Sequence, residues 1–160
     1  TVLAPHPDVL RGSPDRPVVI TPHPGEMARL LGTAAADVQR ARLSTARDFA
    51  VTHHVYVVLK GSRTLVATPD GTVYVNPTGN PGMATGGSGD VLTGMLCGWL
   101  AQGLGVTAAC VLAVYLHGAA GDLAAADVGE VAMTAGDIVA EIGDALLELT
   151  APQRSGHPRA

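Results

Sequence analysis

The sequence predicts an α/β fold, and three observations carry that prediction. Strand patterns alternate with helical periodicity, then give way to a hairpin and three helices. Val55-Tyr56-Val57-Val58-Leu59 is a continuous apolar strand, the kind covered on both faces in an α/β sheet. Polar and proline- or glycine-containing loops follow the strands, where open α/β sheets hold their ligands.

The elements follow in order. Pro17-Val18-Val19-Ile20-Thr21 is a β-branched strand, and Pro22-His23-Pro24-Gly25 turns the chain. Glu26 opens a short helix that runs to Leu31 and stops at Gly32. From Asp37 a second helical pattern puts Leu43, Ala46 and Ala50 on one face, with Arg40, Arg47 and Asp48 toward solvent. After the apolar strand, Lys60-Gly61-Ser62-Arg63 leads into Thr64–Thr68, and Pro69-Asp70-Gly71-Thr72 makes a hairpin to Val73-Tyr74-Val75. Helices are expected from Ser88 to Leu104, from Thr107 to Ala126, and from Thr134 onward. The second is apolar almost all round, and the third opens with Thr134 and Asp137 as a capping pair and carries an Ile138, Ile142, Ala145, Leu149 stripe. The expected organisation is one domain over residues 1–150 and a disordered tail over 151–160.

Bulk properties narrow the classes. At 47% hydrophobic and 15% charged residues, the 160-residue chain can bury a substantial core. A net charge of -4 gives no electrostatic reason to expect nucleic acid, so anionic ligands need local donors. No apolar run of spanning length lacks Gly, Asp or His interruptions, which gives no membrane expectation. Cys97 and Cys110 fit no zinc spacing and are expected as reduced core residues of a cytoplasmic protein.

The segment Asn80-Pro81-Gly82-Met83-Ala84-Thr85-Gly86-Gly87-Ser88-Gly89-Asp90 carries the chemistry. Its glycines let backbone N–H groups approach a ligand closely, and the helix that follows aims unpaired donors and a positive dipole end at phosphate. Asp90 at the helix mouth has two roles open to it: capping the helix, or taking a proton beside a phosphate. His23, between two prolines, is either a ligand contact on a stiff loop or a surface histidine, with Glu26 complementing the helix dipole. Lys60, Gly61, Ser62, Arg63 and Thr64 suit polyphosphate or ribose, although an ordinary charged connection has the same composition; the order is not that of a P-loop. His117-Gly118-Ala119-Ala120-Gly121-Asp122 is expected to serve helix packing, with His117 hydrogen-bonded in the core. His53-His54 lacks a third metal ligand at useful spacing.

Together these segments resemble the ADP/ATP-dependent NAD(P)H-hydrate dehydratases, which have a ribokinase-like fold. The resemblance runs through Val19-Ile20-Thr21-Pro22-His23-Pro24-Gly25-Glu26-Met27, Leu59-Lys60-Gly61 to Thr64, Asn80 to Gly94, His117 to Asp122 and Thr134-Ala135-Gly136-Asp137-Ile138. It implies a partly parallel sheet flanked by helices and a cofactor-repair reaction: hydrated NADH or NADPH (NADHX, NADPHX) is dehydrated at the expense of ADP or ATP. In the family the ring hydroxyl is phosphorylated and phosphate then leaves. By that likeness Asp90 is the catalytic base and touches NADPHX together with His23. Gly87, Ser88 and Gly89 hold the moving phosphoryl group, Lys60 to Thr64 contact the nucleotide, and Glu26 stands near Mg2+ through water. Sugar kinases of this fold carry Asp-Thr ahead of the Gly-x-Gly-Asp; Ala84 stands there instead and shifts the expectation toward the dehydratase. A sugar or hydroxymethylpyrimidine kinase is the alternative within the fold, and a nucleotide-binding module without turnover is the alternative outside it.

Relatives have an N-terminal half ahead of this segment, and some carry a fused epimerase domain upstream. The chain is therefore expected to be the C-terminal portion of a larger enzyme, homo-oligomeric as relatives often are. Alone it is expected to bind nucleotide and to turn over poorly.

Overall fold

The computed structural model describes residues 9–151, which form three layers, helices on either side of a sheet. Strand β1 (Val19–Ile20) is followed by helices α1 (Pro24–Leu31), α2 (Ala35–Arg40) and α3 (Arg42–His53), and these return the chain to β2 (Tyr56–Leu59). Strands β3 (Leu65–Ala67) and β4 (Val73–Val75) complete a four-stranded sheet in the order β1-β2-β3-β4. β1 and β2 are parallel, while β2–β3 and β3–β4 are antiparallel. Helices α4 (Ser88–Ala101), α5 (Val106–Val128) and α6 (Ala135–Thr150) follow. The sheet is thus partly parallel and flanked by helices, as expected. From residue 152 on, the expected tail lies outside the described residues.

Alternation along the central strands explains the layering. Val57 and Leu59 of β2, with Leu65 and Ala67 of β3, pack against Met27 of α1 and Ala46, Phe49 and Ala50 of α3. Val58 and Val66 point the other way, onto Leu92 and Leu96 of α4 and Ala109, Cys110, Ala113 and Val114 of α5. Each such side chain, fully buried, contributes about 1.5–3 kcal/mol, so the two faces of one short strand clamp both helical layers. A third cluster joins Leu116, Ala120 and Ala124 of α5 to Ile138 and Ala145 of α6. This accounts for α5: its 23 residues are long and apolar enough to match a bilayer, yet the first half serves the sheet and the second serves α6.

Local chemistry sets the ends of the helices. α1 stops where Gly32 turns left-handed at φ 65. The helical stretch expected from Asp37 is two helices, broken at Ala41, whose φ is -125. Leu43 therefore lies in a first turn and is 54% exposed, while Phe49 joins the buried face in its place. His54 ends α3 in a left-handed conformation, and the His53 ring stacks on Phe49 at 4.2 Å. At the start of α6, Asp137 Oδ2 accepts from the Thr134 N–H at 2.8 Å and from its hydroxyl at 2.7 Å, which bears out the capping pair. The α6 stripe holds at Ile138 and Ala145 but thins toward the C-terminus, where Leu149 is 46% exposed.

The cysteines divide. Cys110 faces the sheet and is buried, and burial pushes its thiol pKa up to about 12. Cys97, expected in the core, is exposed. α4 buries the face carrying Leu92 and Leu96, and the next residue along falls about 100° around the helix.

Candidate active site

Strand register brings the first two site loops together. Beyond the paired residues of β1 and β2, the Lys60 N–H donates to the Pro22 carbonyl at 2.9 Å. The His23 loop and the Lys60–Thr64 loop therefore leave the same end of two parallel strands side by side. A third wall comes from residues 76–85, which lie along α5. Asn76 Nδ2 donates to the Val114 carbonyl at 3.3 Å, and the Thr78 hydroxyl donates to the Tyr115 carbonyl at 2.9 Å. Asp122 pins the next residues, accepting from the Gly79 N–H and from Asn80 Nδ2, each at 2.9 Å. The fourth wall is the N-terminus of α4. Between these walls lies a cleft of about 510 Å³.

The cleft is lined by His23, by Lys60, Gly61, Ser62, Arg63 and Thr64, and by Ser88 and Gly89, so eight expected site residues share one space. Gly87, Asp90 and Glu26 are outside its lining. Gly87 turns the chain into α4 at φ 89, and Asp90 sits on the exposed rim one residue beyond Gly89. Glu26 lies behind Lys60, its Oε2 3.8 Å from the ammonium nitrogen.

Two of the expected segments meet across the cleft. A Cβ built on Gly89 would lie 3.0 Å from Lys60 Nζ. The missing side chain lets the ammonium reach the first turn of α4. There the Ser88 and Asp90 N–H groups turn back to Thr85 and Gly87 carbonyls, while those of Gly86, Gly87 and Gly89 find no acceptor among the described residues. Free amides, a dipole end and a lysine at one point make a site for a singly or doubly charged oxyanion.

Asp90 is not a cap. Its carboxylate takes no hydrogen bond and no ion pair among the described residues, and the N-cap position belongs to Gly87. It stands in the first turn of α4, where a carboxylate complements the positive end of the helix dipole.

His23 is the N-cap of α1. Its Nδ1 accepts from the Gly25 N–H at 3.0 Å and the Glu26 N–H at 3.3 Å, and Glu26 Oε2 accepts the His23 N–H at 2.7 Å. A nitrogen accepting two N–H bonds carries no proton, so the hydrogen-bond network assigns the neutral ring's proton to Nε2. Glu26 thus caps α1 and sits beside a lysine. Among the described residues no three His, Cys, Asp or Glu side chains converge on a metal position. Such a donor set builds no protein cage and fits only a metal held mainly by a ligand's own oxygens.

His117 is a buried, hydrogen-bonded residue of α5, as expected, and it also lines the cleft. Buried in α5, it donates from Nε2 to the Ser88 carbonyl at 2.9 Å. Burial pulls its pKa below the usual histidine value and the Lys60 charge adds to that, against the opposing Ser88 bond. Gly118 and Gly121 serve packing: a Cβ would lie 2.1 Å from Thr78 Oγ1 at the first and 2.4 Å from Met83 Sδ at the second.

Arg42, Asn76, Thr78, Asn80 and Asp122 organise the site without having been singled out by pattern. Asp122 closed a motif read as helix packing, and Asn80 opened the glycine segment, so both had a signal. Arg42 had none.

A mixed sheet of this order, with a glycine loop feeding the helix that packs on it, is a ribokinase-like fold. The chain belongs to the NAD(P)H-hydrate dehydratase family, whose profile (Carb_kinase) matches residues 1–143. It is 59% identical over 123 residues to the bifunctional NAD(P)H-hydrate repair enzyme Nnr of Moorella thermoacetica, covering 77% of this chain and 23% of that protein. It is 47% identical over 128 residues to the ADP-dependent (S)-NAD(P)H-hydrate dehydratase of Neisseria meningitidis, covering 80% of this chain and 42% of that protein. The crystal structure of the Bacillus subtilis ADP/ATP-dependent NAD(P)H-hydrate dehydratase, co-crystallised with ATP/Mg2+ and soaked with CoA, superposes with a TM-score of 0.81 at 37% identity. That match covers 86% of this chain and 52% of the Bacillus chain. The chain thus spans about half or less of the relatives it matches.

Proposed function

We propose that this chain supplies the nucleotide-holding and proton-accepting part of an ADP- or ATP-dependent NAD(P)H-hydrate dehydratase, a carbon–oxygen lyase acting in the cytoplasm on NADHX and NADPHX. The observation that supports this most is the approach of Lys60 to the bare first turn of α4, one residue from an uncommitted carboxylate. In this reading the terminal phosphate of the nucleotide sits against the free Gly87 and Gly89 amides and the Lys60 ammonium, while the Ser88 N–H, expected to join them, stays on the Thr85 carbonyl. Asp90 takes the proton of the ring hydroxyl as its oxygen attacks phosphorus, and the donors oppose the charge that develops on the equatorial oxygens. A magnesium ion bound to the nucleotide would offset phosphate charge, with Glu26 near it through water. The bond from that phosphorus to the rest of the nucleotide breaks, releasing ADP from ATP or AMP from ADP. Dehydration follows as the carbon–oxygen bond of the new ester breaks, inorganic phosphate leaving and the adjacent ring carbon losing a proton. Homo-oligomerisation and an upstream epimerase domain go with the same reading.

The test uses the protein at the length its gene encodes, incubated with NADHX, Mg2+ and ADP or ATP. Return of NADH absorbance together with inorganic phosphate is the expected result. A phosphorylated product without NADH would establish a small-molecule kinase instead. Nucleotide binding with neither product would leave a binding module.

The tautomer of His23 gives a separable prediction. His23→Asn keeps an oxygen for the α1 amides but deletes the Nε2–H donor. It should melt close to the wild-type temperature while the KM for NADHX rises about tenfold, the loss of one hydrogen bond. His23→Gln, which reaches like Nε2 but caps poorly, should show the opposite pattern. Thermal unfolding beside steady-state kinetics reads both.

A further inference from the structure

Arg42 belongs to no motif of the site, yet it touches the nucleotide loop more than any other side chain does. It is the first residue of α3, and its guanidinium reaches the turn after β2. Nη2 donates to the carbonyls of Leu59 at 3.2 Å, Lys60 at 3.4 Å and Arg63 at 3.5 Å, and Nη1 donates to the carbonyl of Ser62. No carboxylate pairs with it among the described residues.

We propose that Arg42 is the positioning residue of the nucleotide loop, turning its carbonyls inward so that its amides face the bound nucleotide. The inference rests on the reading of Lys60–Thr64 as a nucleotide contact. A trans peptide unit is planar, and its N–H points opposite its C=O. Drawing the Lys60, Ser62 and Arg63 carbonyls onto one guanidinium therefore sends the Gly61, Arg63 and Thr64 N–H groups the other way. None of those three N–H groups has an acceptor among the described residues, and all three residues line the cleft. The backbone pays in unusual conformations, with φ 135 at Gly61 and φ 53 at Arg63. Successive amides displayed from such a turn form a concavity that binds anionic or carbonyl oxygens. Gly61 is held to its identity by its φ of 135, and a Cβ there would also crowd Arg42 Nη2 at 3.2 Å.

Arginine suits the task and lysine does not. Five donors in a fixed planar fork can engage several carbonyls at once, whereas an ammonium acts as one point. Since no carboxylate cancels it, the guanidinium charge also stands behind the loop and favours an anion in front of it.

The experiment uses the protein at its encoded length, with ADP affinity by calorimetry, KM for nucleotide and for NADHX separately, and thermal unfolding. Arg42→Ala should weaken ADP binding and raise the nucleotide KM by about 10- to 100-fold, leaving the NADHX KM and the saturated kcat near wild type. Arg42→Lys keeps the charge and the stem, and should resemble Arg42→Ala more than the wild type. If Arg42→Ala does not fold, Arg42→Lys decides. Wild-type ADP affinity in a folded Arg42→Lys protein overturns the proposal, as does an equal loss of KM for both substrates. A wild-type protein that binds no ADP overturns the nucleotide reading itself, and the role of Arg42 with it.

Discussion

Replacing Asp90 with asparagine lowers kcat by about 10²- to 10⁴-fold, the usual worth of a positioned base, and leaves ADP affinity almost unchanged. Asp90 is on the first turn of α4 but its side chain takes part in no hydrogen bond or ion pair of the described structure, so asparagine at that place costs the fold little. Its carboxylate stands on the exposed rim one residue beyond Gly89, and under the proposed function its charge serves to take the hydroxyl proton. Loss of one acidic side chain at a phosphate site also reduces repulsion, so nucleotide binding should hold or tighten. Turnover assays with calorimetry separate the two quantities. Wild-type kcat in the Asp90→Asn variant would remove the base from the mechanism.

Gly118→Ala has the second large effect, on the fold and on the cleft together. A methyl group there would stand 2.1 Å from Thr78 Oγ1 and 2.8 Å from the Thr78 carbonyl carbon, so backbone as well as side chain must move. Thr78 cannot shift freely, because its hydroxyl binds the Tyr115 carbonyl at 2.9 Å and Asn76 Nδ2 binds back to it at 3.0 Å. Overpacking of this kind costs about 1–3 kcal/mol, read as a fall of the thermal midpoint by about 2–4 °C per kcal/mol. Residues 76–80 form one wall of the cleft, so ligand affinity should fall with stability. A Gly118→Ala protein with wild-type melting and binding would show that α5 and this wall can separate without cost.

Most of the architecture could be read locally. The Val55–Leu59 run, the hairpin at Asp70-Gly71 and the Thr134–Asp137 cap each depend on a few neighbouring residues, and each is found where expected. Reading failed where burial depends on a partner element. Cys97 and Leu43 lie in apolar surroundings along the chain, but only the angle at which α4 meets the sheet and the break at Ala41 decide which way they face. The site divides in the same way. Its glycines and its acid are visible in one segment, whereas Arg42 acts on a loop far along the chain and has no local signature, and Asp122 was visible only as the end of a packing motif, not as the clamp on Gly79 and Asn80.

The sequence by itself determined which short segments carry chemistry, because glycine freedom, helix capping and a strand's alternation are properties of adjacent residues. Tertiary structure alone decided that Lys60 meets the bare turn at Gly89, that the Ser88 carbonyl rests on His117, and that one arginine orders a whole loop. The reason is geometric: the parallel register of β1 with β2 and the docking of α5 set distances between segments, and no local pattern encodes them.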